Sequence, residues 1–254
     1  MDMTKPFQSM RVLVLLLSGL ALPAVGQDAA APVPATRGEA AAATTPINFK
    51  PFRRGITETV QLPPGLQTIR RNLVAGKRLR TADLRALADA GDSLAQMRFA
   101  KQLGEMNDPS LVSAQAHYYA MAAYNGREGA VPPLLSLLRA HGSSFEASAL
   151  ANIEAALVAQ ANHGQVDAIT GLARFYMDGA PFGAKEPEGL EMMTKVAKAG
   201  DHQAALDIAL KLIGERQDNA RMQQAREFLE IAAGSPKPAV AAMAASLLNS
   251  SDEI

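Results

Sequence analysis

The chain has 254 residues, 48% of them hydrophobic, with 25 basic and 25 acidic side chains and a formal net charge of zero. That length holds one or two domains with a sizeable core, and the neutral balance argues against the chain as a whole being a nucleic-acid binder. There is no Cys and no Trp, which excludes disulfides, thiolate metal sites and a lipid-modified cysteine, and the Ala/Leu/Val/Met-rich apolar content favours packed helices over a β-sandwich.

The N-terminus reads as a targeting segment. Lys5 and Arg11 precede the apolar run Val12 to Leu22, and Ala24 and Gly26 supply small residues before a cut after Gly26. This is the layout of a secretory signal peptide over residues 1–26. The alternative is a membrane anchor, but the run is about half the roughly 20 residues that a spanning helix needs. An exported chain without Cys is simplest to place in a periplasm, with secretion as the alternative. Residues 27–60 read as an Ala/Pro-rich disordered tether and basic segment, the low-complexity part being Asp28 to Pro46. Within Ile47 to Gly65, the apolar residues Phe49, Phe52, Ile56 and Val60 either add a strand or lie along the folded body.

From Leu66 onward the pattern is helical. Residues 61–90 read as N-terminal capping helices, with Thr81 as an N-cap, and residues 91–254 as a repeated array closed by a last helix, Lys237 to Leu248. The phrase Ala-x-x-Gly-Asp-x-x-Ala occurs twice, around Gly91 and around Gly200. Glycines recur at Gly91, Gly126, Gly164, Gly200 and Gly234, spaced 35, 38, 36 and 34 apart. Three residues before the first four stand Ala88, Ala123, Ala161 and Ala197. Four residues after the same glycines stand Ala95, Ala130, Ala168 and Ala204, and eight after stand Phe99, Leu134, Leu172 and Ile208. Twelve after come Leu103, Leu138, Tyr176 and Leu212. Positions four apart share one helical face, so the columns describe a packed face. A period in the thirties marks stacked helix pairs. Each Gly sits where a left-handed C-cap is expected. Asp108-Pro109, Pro187 and Asp218 supply start signals for the second helices.

These residues resemble the Sel-one-like repeat, a branch of the tetratricopeptide superfamily. The best single match is His163 to Gly183, with Gly164, Ala168, Leu172, Ala173, Tyr176 and Gly179 in place, and Ala225 to Ala233 matches the second helix. The resemblance covers roughly Ala86 to Leu248. It departs from the family pattern in lacking Trp, in lacking loop glycines in the first, second and fourth units, and in a degenerate second unit. It implies an all-α fold, a right-handed α-solenoid of about four to five helix-turn-helix repeats. It also implies a non-enzymatic protein-protein interaction scaffold, such as a periplasmic regulator of an envelope or signalling protein.

No nucleophile, metal-ligand or phosphate-loop motif stands out, and no cofactor is implied. His163 and His202 lie near inter-unit turns, but as ligands they are outweighed by ordinary turn histidines. Glu186, Glu188 and Glu191 suit the first turn of a helix, and Tyr118-Tyr119 suits a core. Charge is asymmetric. Ile47 to Arg85 carries nine basic and two acidic residues, a net of +7, and Ala86 to Ile254 a net of −7. The basic residues Arg53, Arg54, Arg70, Arg71, Lys77 and Arg78 either meet an anionic partner or lie against the acidic remainder of the chain. Helical phase puts Gln96, Arg98, Arg174 and Asp207 beside the core columns as candidate partner contacts. The expected partner is another protein. The alternative is an anionic envelope polymer or lipid bound through the basic segment, and a cell-wall hydrolase is the least supported. Nucleic acid is not expected, nor a membrane span after signal cleavage.

Overall fold

The computed structural model describes residue 52 and residues 54–215 and 219–251. The expected signal peptide, Asp28 to Pro46, Arg53 and Asp218 lie outside the described residues. Among the described residues the chain is all-α, with eleven α-helices, four short 3-10 turns and no strand. The helices are α1 (Pro64–Val74), α2 (Thr81–Asp89), α3 (Ser93–Glu105), α4 (Val112–Tyr124), α5 (Val131–His141) and α6 (Ala147–Asn162). They continue with α7 (Val166–Asp178), α8 (Glu186–Lys198), α9 (His202–Glu215), α10 (Asn219–Ala233) and α11 (Pro238–Ser251).

The recurring phrase is a helix-to-helix turn. Gly91, Gly126, Gly164 and Gly200 have φ of 98°, 86°, 83° and 103°, a region open to glycine and costly for a residue with a Cβ. Each turn repeats one pair of hydrogen bonds. Gly91 N–H donates to Ala88 O at 3.0 Å, and Asp92 N–H donates to Leu87 O at 3.1 Å. The same pair joins Gly126 to Ala123 and Arg127 to Ala122, Gly164 to Ala161 and Gln165 to Gln160, and Gly200 to Ala197 and Asp201 to Val196. This is the Schellman arrangement, which satisfies the last carbonyls of a helix. Gly234 differs, since it is not among the positive-φ glycines.

The residue after the glycine then starts the next helix. Asp92 Oδ1 accepts from Ala95 N–H at 2.8 Å, and Asp201 Oδ1 accepts from Gln203 and Ala204 N–H at 3.0 Å each. In the third turn the side chain of Gln165 takes this part toward Ala168. The closing Ala of the phrase is therefore both a buried side chain and the donor to the cap. Thr81, expected as an N-cap, is instead the first residue of α2, and its buried hydroxyl accepts from Gln102 Nε2 at 2.8 Å. Asp108 does cap, with Oδ1 accepting from Ser110 N–H at 2.9 Å, but the element it starts is the 3-10 turn Pro109–Leu111 that precedes α4.

All the residues of the columns four, eight and twelve after the glycines are buried. Chain neighbours pack closely in the pairs α3 with α4, α7 with α8 and α9 with α10. The degenerate stretch behaves otherwise. The short α5, entered through Pro132 and Pro133, packs on α4 and α7, while α6 packs on α4 and α7 and barely touches α5. The buried apolar residues form two clusters that meet at α7, with Leu172, Phe175 and Tyr176 in the first and Ala173 in the second. α7 approaches both neighbours through glycine. A Cβ on Gly171 would meet Leu135 side-chain atoms at 2.5 Å, and one on Gly189 would meet the Ala173 carbonyl oxygen at 2.7 Å.

The segment before α1 is not a free tether up to residue 60. Of the two readings for Ile47 to Gly65, residues 54–62 take the second and lie along the body. Gly55 N–H donates to Asn125 Oδ1 at 2.6 Å, and Ile56 N–H donates to Gly91 O at 3.1 Å. Phe52 sits 5.5 Å from the His117 ring and 5.7 Å from the Tyr124 ring. Arg70 on α1 fastens the arrangement, its Nε reaching Asp92 Oδ2 at 2.6 Å and a terminal nitrogen reaching the Thr59 hydroxyl.

Two predictions come from these contacts. Gly189→Ala puts a Cβ against a backbone oxygen, so α7 and α8 must shift, at a cost of about 2 kcal/mol. Gly200→Ala meets open space and pays only for its backbone angle, about 1 kcal/mol. Urea denaturation of both variants reads the difference, and the opposite order would refute the account of the α7–α8 contact. Burial on α4 beneath Phe52 pushes His117 down to about 4, against a smaller opposing effect of Asp89. The unfolded chain takes that proton near pH 6.5, and the folded chain does not until about 4. Stability is therefore expected to fall by on the order of 3 kcal/mol as pH drops through that window. Asp108 and Glu191, whose carboxyls lie below the usual range, act only at lower pH. Denaturation midpoints measured across the window for the wild type and His117→Leu check this, since the variant should lose most of the slope.

Candidate functional site

The turn that ends α1 opens a cleft. Gly76 adopts φ of 76°, and Lys77 N–H returns to Asn72 O at 3.0 Å, so the chain leaves α1 abruptly. Residues 77–80 then run without regular structure into α2. Between this run and α3 lies a cleft of about 550 Å³, within the range of ligand-binding clefts. Leu73, Leu79 and Leu84 form its apolar floor, and Lys77, Arg78, Arg98 and Lys101 bring four cations to it against one acid, Glu105. Lys77 and Arg78 are exposed. Lys101 and Glu105 sit one helical turn apart at 3.9 Å, with their side chains 73% and 65% exposed, so solvent weakens their mutual compensation. Arg98 is held from below, one terminal nitrogen donating to Leu73 O at 3.3 Å. The carbonyl end of α1 thus orients a cation, as the helix dipole favours.

The expected contact residues do not form one site. Arg98 lines the cleft. Gln96 is fully buried, a correction to its expected place beside a binding surface. Its Nε2 donates to Ala88 O at 3.2 Å, and its Oε1 accepts from Asn125 Nδ2 at 3.2 Å. Gln96 therefore braces the same Asn125 that holds Gly55. Arg174 and Asp207 pair with each other from α7 to α9, Arg174 Nε lying 3.1 Å from Asp207 Oδ2, and Gln203 Nε2 donates to Asp207 Oδ1 at 2.9 Å. That pair joins two helices well away in sequence from Arg98.

The basic segment is divided too. Arg70 is spent on Asp92 and Thr59. Arg54 and Arg71 are exposed, with Arg71 donating to Thr68 Oγ1 at 2.9 Å. Lys77 and Arg78 belong to the cleft. Lys101, which helical phase did not single out, completes it.

Other candidate chemistry resolves into packing. Tyr118 and Tyr119 are buried. Tyr118 donates to Asp89 Oδ1 at 2.5 Å, and burial together with that bond pushes its hydroxyl well above the usual tyrosine range. Tyr176 donates to Glu154 Oε1 at 2.6 Å, with Lys185 on the same carboxylate and 4.5 Å above the Tyr176 ring. Glu186 pairs with Lys211 at 3.2 Å and Glu191 with Lys195 at 2.6 Å, so the acidic cluster is split between separate partners. Among the described residues no group of three or more His, Cys, Asp or Glu is placed to hold a metal ion. No helix among them is long and apolar enough to cross a membrane. Comparison of the chain with protein-family profiles, with curated proteins and with solved structures finds no match in any of the three.

Proposed function

We propose that the chain is an exported, non-enzymatic helical-repeat adaptor, a right-handed α-solenoid of four to five Sel-one-like units acting in the periplasm. In this reading it binds an acidic segment of another protein in the cleft of Lys77, Arg78, Arg98 and Lys101. The observation that carries the partner chemistry is the cleft itself, four cations over an apolar floor of three leucines. Charges at the rim steer an acidic partner and set its register, while the leucines reward a segment that also carries apolar side chains. The repeat reading is supported by the four glycine turns that share one pair of backbone hydrogen bonds and by the buried columns that follow them. A second reading, an anionic glycan or lipid surface, draws on the exposed Arg54 and Arg71 outside the cleft.

Titration of the protein with a short Asp/Glu-rich peptide containing leucine, followed by fluorescence anisotropy, separates the two. Binding is expected to weaken with salt and to fall by about tenfold in the double variant K77E/R78E. Binding to anionic vesicles with no response to the peptide would replace the adaptor reading with the envelope-surface one. An envelope crosslinking pull-down with the same variant then asks whether a membrane protein is captured through the cleft.

A further inference from the structure

The basic cleft has one wall that the body of the protein does not build. Leu73 and the run from Gly76 to Leu79 come from α1 and the turn that ends it, while Arg98, Lys101 and Glu105 come from α3. α1 has 11 residues, and Leu73 is the one buried among them. Isolated helices shorter than roughly 12–15 residues are marginal in water. The place of α1 on the body must therefore come from specific ties.

Two of those ties lead to residues 52–62. Gln67 Nε2 donates to Leu62 O at 2.9 Å, and a terminal nitrogen of Arg70 donates to the Thr59 hydroxyl. A third runs from Arg70 Nε to Asp92 Oδ2 at 2.6 Å. The packing of α1 is chiefly on α2 and on the Thr59–Gln61 turn. The segment is in turn pinned at its far end, by Phe52 on the His117 and Tyr124 rings, Gly55 N–H on Asn125 and Ile56 N–H on Gly91 O. Position 55 has room for glycine alone, since a Cβ there would meet Gly91 O at 2.5 Å and Asn125 Cγ at 2.8 Å. Between the two ends, Gln61 Oε1 accepts from Thr57 N–H at 2.8 Å and Glu58 N–H at 3.0 Å, which folds the segment into a compact turn. Leu62 is the one buried residue in its described part. With so few buried contacts the segment opens more readily than the body.

These ties act in series. One helical turn beyond Arg70, the Leu73 carbonyl accepts from Arg98 at 3.3 Å, and Lys77 and Arg78 follow from the same end of α1. We propose that residues 52–62 are a strap that holds α1 in place and thereby assembles the basic cleft. Releasing the strap frees α1, takes the Leu73 carbonyl away from Arg98 and separates Lys77 and Arg78 from Lys101. By reciprocity, a ligand that bridges Lys77 and Arg78 to Arg98 and Lys101 favours the docked strap. That reciprocity rests on the adaptor reading of the cleft; assembly of the cleft by the strap does not.

Hydrogen exchange followed by mass spectrometry on the full chain tests this in Gly55→Ala, a position outside the cleft. Exchange in α1 is expected to quicken by about tenfold while α7 to α10 stay as in the wild type. Affinity for the Asp/Glu-rich peptide containing leucine should fall by about tenfold. Gly65→Ala, in α1 where a Cβ meets nothing within 4 Å, should produce neither effect. Phe52→Ala removes one anchor without a clash and reads the same two quantities, should the Cβ at position 55 also disturb α3 and α4. Unchanged α1 exchange in both strap variants would overturn the proposal, as would α1 and α4 quickening equally in both. Unchanged peptide affinity beside faster α1 exchange would overturn it too, since α1 would then not build the cleft. No peptide binding to the wild type, with α1 still quickened in the variants, would retire the acidic-segment reading and uphold the strap.

Discussion

A left-handed glycine followed by a capping side chain ends one helix and begins the next within two residues, and the packing of this protein depends on it. A helix end leaves carbonyls without partners, and a helix start leaves N–H groups without partners. Here one pair of backbone bonds takes up two of the carbonyls, and the Asp that follows takes up one or two of the N–H groups. Because the turn adds no loop, the next helix starts in fixed phase with the last. The alanines before and after the glycine, Ala88 and Ala95 for the first turn, therefore fall at full burial. Where the cap is missing the consequence is visible. Arg127 follows Gly126 without capping, a 3-10 turn at Glu128–Ala130 intervenes, and the helices beyond it, α5 and α6, lose the close contact that the other pairs keep.

The same turn explains how the N-terminal segment is held. Asp92, only 4% exposed, caps α3 with one oxygen and takes Arg70 with the other. A buried carboxylate is stable only when its charge is met, so the cap and the attachment of α1 stand or fall together. On the other side of the turn, the Gly91 carbonyl receives Ile56 N–H, and Asn125, braced by Gln96, receives Gly55 N–H. A neutral His117 under Phe52 completes the seal.

The all-α class, the glycine turns and the buried columns were legible because each is a local pattern repeated, so weak signals at single units reinforce one another. Helical phase alone places Gln96 beside the core columns as a candidate contact, yet the sequence also carries the signal for its burial. It stands five after Gly91, and the matching positions are Val131, Ile169 and Ala205, an apolar column in which one polar residue must find buried partners. The capping role of the Asp in the Gly-Asp phrase was equally available from its position before a helix. Arg70 with Asp92, and Gly55 with Asn125, were not legible, because they join residues 22 and 70 apart and no periodicity connects them. Gly171 and Gly189 escaped notice for a related reason, since a glycine inside a helix declares its purpose only when the facing helix is known.

The charge asymmetry looks different once its parts are placed. Arg70, Arg80 and Arg85 each face an acid, Asp92, Asp83 and Asp89, so part of the +7 segment serves the fold. Of the remainder, Arg54 and Arg71 stay exposed outside the cleft, while Lys77 and Arg78 meet two cations from the later part of the chain within it. Lys77 and Arg78 lie in the run after α1, and Arg98 and Lys101 lie one turn apart on α3. Single exposed charges interact weakly and are screened within about 8 Å at physiological salt. Four cations around one apolar floor add their fields over the same cleft, which concentrates a diffuse excess of charge at one place on the fold.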